Sequence, residues 1–352
     1  MSRIEDRKAD HIEVSLEEDV GSQYNYWDDI KLVHNALPEI NFDEIDTSIE
    51  FLGRKFSFPL IVTAITGGYS KASKINENIA KACEEFQIGM GIGSQRAALE
   101  NGDYRSYAVV KDYDIPLKIG NLGVAQLIRQ KNKNALALDS IKRAIEMIDA
   151  DVLCIHLNFL QEVVQPEGDT NAKGCLDAIR EIAREVPIMI KETGAGISRG
   201  VANRLKGIGI KAIDVSGSGG TSFSLVEKYR AERVGDEKGK ILGEAFKDWG
   251  IPSPVSVIAA KVGLPLIASG GILNGLHIAK SIAIGANCAG TARSILQAAT
   301  ESADAVVKKL KVMQMEFKAT MFLTGSARVN ELSRSPHVIT GITREWLEQM
   351  GD

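Results

Sequence analysis

Eight short apolar runs, at 58–64, 88–93, 115–119, 152–155, 187–191, 210–215, 265–268 and 286–289, punctuate this chain. Helical spacing fills the intervals between them, most clearly at 136–148 and 172–184. Seven of the runs close on glycine or small polar residues. Runs this short and this apolar read as strands buried on both faces, and their alternation with helices predicts a parallel α/β structure. The count of eight points to a (β/α)8 barrel, with an open doubly wound sheet as the competing architecture. In a barrel, the loops at the carboxyl ends of the strands carry the chemistry.

The 352 residues fit a single barrel domain over 1–352. Around it the sequence predicts an N-terminal arm (1–50), an insertion after strand six (223–252) and a C-terminal extension (313–352). The arm is polar and weakly periodic, and Arg7, Lys8 and His11 near its start read most simply as a disordered basic leader. The insertion carries Glu227, Lys228, Arg230, Glu232, Arg233, Asp236, Glu237 and Lys238, which marks a surface excursion or lid. Residues 343–350 are amphipathic, with Trp346, Leu347 and Met350 on one side, suited to packing across the barrel base or between subunits. A net charge of −4 offers no global attraction for nucleic acid. Cys83, Cys154, Cys175 and Cys288 show no metal or disulfide spacing, as expected in a reducing compartment. No apolar signal core and no run of membrane-spanning length is present, so a cytoplasmic protein is expected.

The fourth run carries the densest polar cluster. Val152, Leu153, Cys154 and Ile155 lead directly into His156, Asn158, Gln161 and Glu162. An imidazole, two amides and a carboxylate at one strand end predict a site rather than loop packing. Three late loops, 216–221, 269–271 and 289–291, are rich in glycine and hydroxyl groups. Glycine admits close backbone approach, so three such loops on neighbouring strands suit a phosphorylated cofactor or substrate. Neither a Walker loop nor a dinucleotide G-x-G-x-x-G is present. Lys191 ends the fifth run, where it could form a Schiff base, set a positive charge beside a cofactor, or simply snorkel. Lys118 takes no role. His34, His277 and His337 read as surface or helix residues.

Together these motifs resemble one family. Arg7-Lys8-x-x-His11, Thr66-Gly67-Gly68, Gly93-Ser94-Gln95-Arg96, Gly120-Asn121-Leu122-Gly123, His156-x-Asn158-x-x-Gln161-Glu162, Gln165 through Asp169, Lys191-Glu192 and the loop from Ser216 to Thr221 look like type 2 isopentenyl diphosphate isomerase. Phe159 and Leu273 depart from the pattern, Leu273 standing where FMN barrels commonly place a phosphate-binding arginine. The resemblance implies interconversion of isopentenyl and dimethylallyl diphosphate, with FMN, NADPH as its reductant, and Mg²⁺. It implies Gln161, His156 and Lys191 as catalytic residues and Glu162 as the metal ligand. The substrate would meet Arg7, Lys8, His11, Ser94, Gln95, Arg96, Asn158 and Gln161. FMN would lie on Ala64, Ile65, Thr66, Ser94, Asn121, Lys191, Ser216, Thr221, Gly270, Gly271, Ala289 and Gly290. The same resemblance implies a homo-oligomer, tetramer or octamer. The alternatives are an FMN-dependent hydroxy-acid or alkene oxidoreductase and a non-catalytic flavin or phosphate-binding protein.

Overall fold

All eight apolar runs form strands in a computed structural model, which describes residues 3–351. Residues 1, 2 and 352, the ends of the expected domain, lie outside the described residues. The strands are β1 (Leu60–Val62), β2 (Gly89–Gly91), β3 (Lys118–Gly123), β4 (Val152–Leu157), β5 (Ile188–Glu192), β6 (Ile213–Asp214), β7 (Leu266–Ala268) and β8 (Cys288–Thr291). They pair in parallel, each with its neighbours in sequence, and β8 closes on β1. The doubly wound alternative is therefore excluded: it would leave two edges open.

Alternation along the strands sorts side chains into two shells. Leu60, Val62, Leu153, Ile155, Ile188, Ile190, Ile213 and Leu266 point outward into the core shared with the surrounding helices. Ile61, Ile119, Cys154, Met189, Ala212, Ile267 and Cys288 point inward and plug the barrel. Burying each such aliphatic side chain contributes about 1.5–3 kcal/mol. Below them the hairpin Ile49–Phe51 with Arg54–Phe56 closes the amino-terminal end, placing Phe51 and Phe56 against the plug. The helices supply the outer layer by spacing: Ala72–Phe86 buries Ile75, Ile79 and Cys83 four residues apart.

The chain ends depart from expectation. The arm is ordered: α1 (Arg3–Glu17) crosses the carboxyl end of the barrel, and the short strand Ile30–Leu32 pairs antiparallel with His337–Ile339. The C-terminal helix Gly341–Met350 lies neither across the base nor free. Asp29 Oδ2 accepts from the backbone N–H of Thr343 in its first turn (2.9 Å), so an arm carboxylate caps it. Next to Asp29, the Trp27 indole donates to the carbonyl of Gly270 (2.8 Å) in the loop after β7. The two ends of the chain thus brace each other beside the barrel mouth.

Candidate active site

Two residues beyond six of the seven inward residues the strands turn polar, and beyond Cys288 stands Gly290. Ile61 is followed by Thr63, Ile119 by Asn121, Cys154 by His156, Met189 by Lys191, Ala212 by Asp214 and Ile267 by Ser269. Strand register carries Gly123, His156, Lys191 and Asp214 across β3 to β6 in one row. The polar ring is therefore the next inward layer above the plug. It floors a cavity of about 460 Å³ that Thr63, Asn121, His156, Lys191 and Ser269 line. His156 Nδ1 lies 2.8 Å from Asn121 Oδ1, and Asn121 Nδ2 donates to the Ile92 carbonyl. The amide oxygen must accept, so Nδ1 carries the proton and Nε2 is left as an acceptor.

The roof comes from elsewhere in the chain. After β4 the short helix α2 (Phe159–Val164) presents Gln161 and Glu162; after β6 the helix α3 (Phe223–Val234) lies beside α1. Glu227 of α3 is fully buried between them. It accepts from His11 Nε2 and Gln161 Nε2, both at 2.8 Å, and from Arg230 at 2.5 Å. Burial pushes the Glu227 carboxyl up, but His11, Arg230 and Gln161 outweigh it and hold it below the usual carboxylate range. Burial also lowers His11, so a neutral imidazole N–H faces an ionised carboxylate. Glu227 and Arg230 thus correct the surface reading of 223–252, whose remaining charges flank two helices, α3 and α4 (Glu237–Ala245). Glu162 accepts from Asn158 Nδ2 (3.0 Å) and from the Asp169 N–H (2.7 Å), and Asn158 Oδ1 is buried with no partner.

The sequence profile of a family described as FMN-dependent dehydrogenase matches residues 105–340. Proteins named isopentenyl-diphosphate delta-isomerase are similar over nearly the whole length. That of Thermoplasma acidophilum is 47% identical, covering 97% of this chain and 98% of its own. That of Methanothrix thermoacetophila is 48% identical, covering 98% and 96%. The chain belongs to the isopentenyl-diphosphate delta-isomerase family. The same barrel occurs in a flavocytochrome b2 variant (TM-score 0.68, 15% identity, 94% of this chain and 83% of that one). A mandelate oxidase variant gives 0.62 at 16% identity, covering 96% and 100%. At such identities these structures speak for the fold alone.

The residues that the isomerase-family resemblance singled out converge on the one cavity, with two exceptions. Arg7, Lys8, His11, Ala64, Ile65, Thr66, Ser94, Arg96, Asn121, His156, Asn158, Gln161, Glu162, Lys191, Ser216, Thr221, Gly270, Gly271 and Gly290 all line it. Gln95 does not: its amide donates to the Ala144 carbonyl (2.6 Å) and accepts from the Asn121 N–H (2.9 Å), spent on packing behind β3. Ala289 sits on β8 with its side chain in the outer core, one residue before the lining Gly290. The disordered-leader reading of Arg7 and Lys8 fails, since α1 carries them into the cavity. His277 is helical as read, yet buried, with Nδ1 3.1 Å from the Gly271 carbonyl. Sequence reasoning missed Arg230 and Glu227 as site residues; their spacing of three puts them on one helix face, a pattern that exposed ion pairs share.

Charge in this isomerase-family cavity is uneven. Arg7, Lys8 and Arg96 gather on the side of Glu162, and Arg96 is fixed by Glu100 (2.7 Å) and Asp169 (3.1 Å). Burial holds the Lys8 ammonium down at about 7, with Arg7 and Arg96 adding repulsion. Burial, then Lys191 and Lys8, lowers the His156 imidazole to about 3. Three cations gathered on one wall have the charge to complement a multiply charged anion.

Proposed function

We propose that this chain interconverts isopentenyl and dimethylallyl diphosphate on reduced FMN, with NADPH as the reductant and Mg²⁺ on the substrate, without net oxidation. The observation that carries this reading is a single cavity with two chemically distinct sides. One is the ring of strand-end groups and glycine loops; the other is the cluster of Arg7, Lys8 and Arg96 around Glu162.

The residues present fit FMN. Thr66 Oγ1 is buried without a well-formed hydrogen bond, beside the Tyr69 hydroxyl, and is free to donate to an acceptor in the cavity. A Cβ on Gly270, whose φ is +89°, would meet the Gly217 carbonyl at 2.2 Å, and one on Gly220 would meet the Gly271 N at 2.5 Å. Only glycine lets those loops close together and leave backbone for a phosphate. Thr66, Ser94, Asn121, Lys191, Ser216, Thr221, Gly270, Gly271 and Gly290 would hold the cofactor, with Ala64 and Ile65 against it. Leu273 offers no charge, so backbone amides and Arg293, which lines the cavity, would meet its phosphate. When bound, reduced FMN supplies acid–base chemistry of a strength that no side chain here has.

Glu162 and the unpartnered Oδ1 of Asn158 suit Mg²⁺, which takes one or two carboxylates and leaves positions for substrate oxygens. Among the described residues no three His, Cys, Asp or Glu side chains are grouped so that they could hold a metal ion by themselves. A metal held jointly with the diphosphate is consistent with that sparse set. Arg7, Lys8 and Arg96 would orient the diphosphate and direct its hydrocarbon end toward the ring. Gln161, its Nε2 held by Glu227 and its Oε1 by Asn158 Nδ2 (3.2 Å), keeps a fixed amide against that end. A neutral His156 orients through Nε2 and lacks the acidity to protonate an alkene.

The oxidoreductase reading needs a base to take a proton during hydride transfer. A His156 lowered to about 3 is too weak for that work. The binding-protein reading leaves the buried array of His11, Gln161, Glu227 and Arg230 without a purpose, although burying such groups costs free energy unless every partner is present. The test is an anaerobic assay of FMN-loaded, pre-reduced protein with isopentenyl diphosphate and Mg²⁺. Formation of dimethylallyl diphosphate is expected; its absence, with oxidation of a hydroxy acid instead, would overturn the proposal.

A further inference from the structure

One charged member of the polar ring has no part in the chemistry above. Asp214 ends β6 beside Lys191 in the same register row and is 2% exposed. Its carboxylate receives three groups. Ser269 Oγ donates to Oδ1 (2.5 Å), the Ser216 N–H donates as well, and Lys191 Nζ stands 3.9 Å from Oδ2. Burial raises the Asp214 carboxyl above the usual carboxylate range, and Lys191, Ser269 and Ser216 offset only part of that rise. The ammonium of Lys191 has one close acceptor, the carbonyl of Glu192 at 2.6 Å. It also lines both the main cavity and a small pocket beneath it, which Asp214, Cys154 and Met189 share. Lys191 is therefore poised at the cavity floor, with the Asp214 carboxyl on the barrel side and the ligand space on the other.

We infer that Asp214 is a positioning residue that acts through Lys191: its buried carboxylate, clamped by Ser269 and Ser216, holds the ammonium at the floor and offsets part of its field. This deepens the flavin reading of the site and rests on it. In a water-poor interior an ammonium with a counter-ion four ångströms away acts on a third charge far less than a lone one. The pair sets how strongly the floor prefers an anionic ring above it to a neutral one. A plainly structural reading exists, because Ser216 sits at φ +37° and the carboxylate fastens that strained turn. The two readings part in what they predict for charge.

The experiment titrates refolded apo-protein with oxidised FMN and, anaerobically, with chemically reduced FMN, and takes the ratio of the two affinities. Asp214→Asn keeps the shape and removes the charge. It is expected to raise the preference for reduced over oxidised FMN about tenfold, a change of about 1.4 kcal/mol. In a Lys191→Gln background the buried carboxyl has lost its counter-ion and takes up a proton, so the same substitution exchanges one neutral group for another and is expected to leave the ratio unchanged. Should Asp214→Asn fail to fold, Asp214→Ser carries the same expectation. An unchanged or lowered ratio, or an equal change with Lys191 absent, overturns the inference while leaving the flavin reading intact. Wild-type protein that binds neither form of FMN overturns both.

Discussion

The two sides of the cavity are built by different means. The floor and strand loops are held by the barrel's backbone ladder and by glycine contacts so close that no side chain fits between them. The roof is held by side chains that meet from distant parts of the sequence, most of them more than two hundred residues apart. Arg230 reaches Asp10 (3.4 Å) and Glu167 (3.1 Å), Arg233 reaches Glu13 and Glu17 (each 3.4 Å), and Glu227 reaches His11. The floor is fixed when the barrel closes; the roof is an assembly of helices that electrostatics keeps together. A ligand bound deep should thus be insensitive to ionic strength and to roof substitutions. One held beneath α1 should feel both.

The largest effect is expected on the floor. Gly270→Val puts carbon on the Gly217 carbonyl in a left-handed backbone, so it should cost about 3 kcal/mol or more in chemical denaturation and abolish flavin uptake. Retention of flavin at wild-type stability would remove the distinction. Next comes Glu162→Gln, expected to lower Mg²⁺-dependent turnover about a hundredfold or more with flavin affinity unchanged. Wild-type Mg²⁺ dependence in that variant takes Glu162 out of the metal role. Glu227→Gln leaves Arg230 buried with a weaker partner and releases His11 and Gln161. Turnover should fall about tenfold to a hundredfold, and α1 should become cleavable in limited proteolysis while flavin stays bound.

A subtler effect concerns protons. With Lys8 held at about 7 in the folded protein, the unfolded chain binds more protons between that value and the ordinary lysine value of 10.5. The folded state therefore gains stability as pH rises through that window. A diphosphate beside Lys8 reverses the shift, so at pH 8 its binding should take up a proton. Calorimetry in buffers of different ionisation enthalpy reads this directly, and a binding heat independent of buffer would exclude it. The smallest effect belongs to Arg233→Ala at the exposed rim, expected to cost under about 1 kcal/mol, with α1 cleavage that grows with salt in the wild type and less in the variant.

The barrel was legible because short doubly buried strands leave continuous apolar runs and their ends leave glycine. Site residues were legible where a motif was dense, as at His156 to Glu162. Gln95 was misread because proximity in sequence is not direction: Ser94 and Arg96 face the cavity, while the residue between them turns away. Glu227 was hidden because charge at helical spacing looks the same whether water or another helix covers it. Only the fold of α1 back over the mouth buries that face, and nothing local in 223–234 announces it. Asp214 lay in plain view two residues beyond Ala212, yet the inward parity of β6 emerges only when the neighbouring strands fix the register.

That parity leaves each barrel strand with no slack in its residue count. In β5, Met189 plugs the barrel and Lys191 stands above it, while Ile188 and Ile190 face the helices. One residue inserted between Met189 and Lys191 would rotate the ammonium into the oily layer outside the barrel and swing its neighbour into the ligand space. A residue added to or lost from one of these eight segments therefore rewrites the chemistry of the mouth, whereas the same change in a surface loop leaves the inward row where it is.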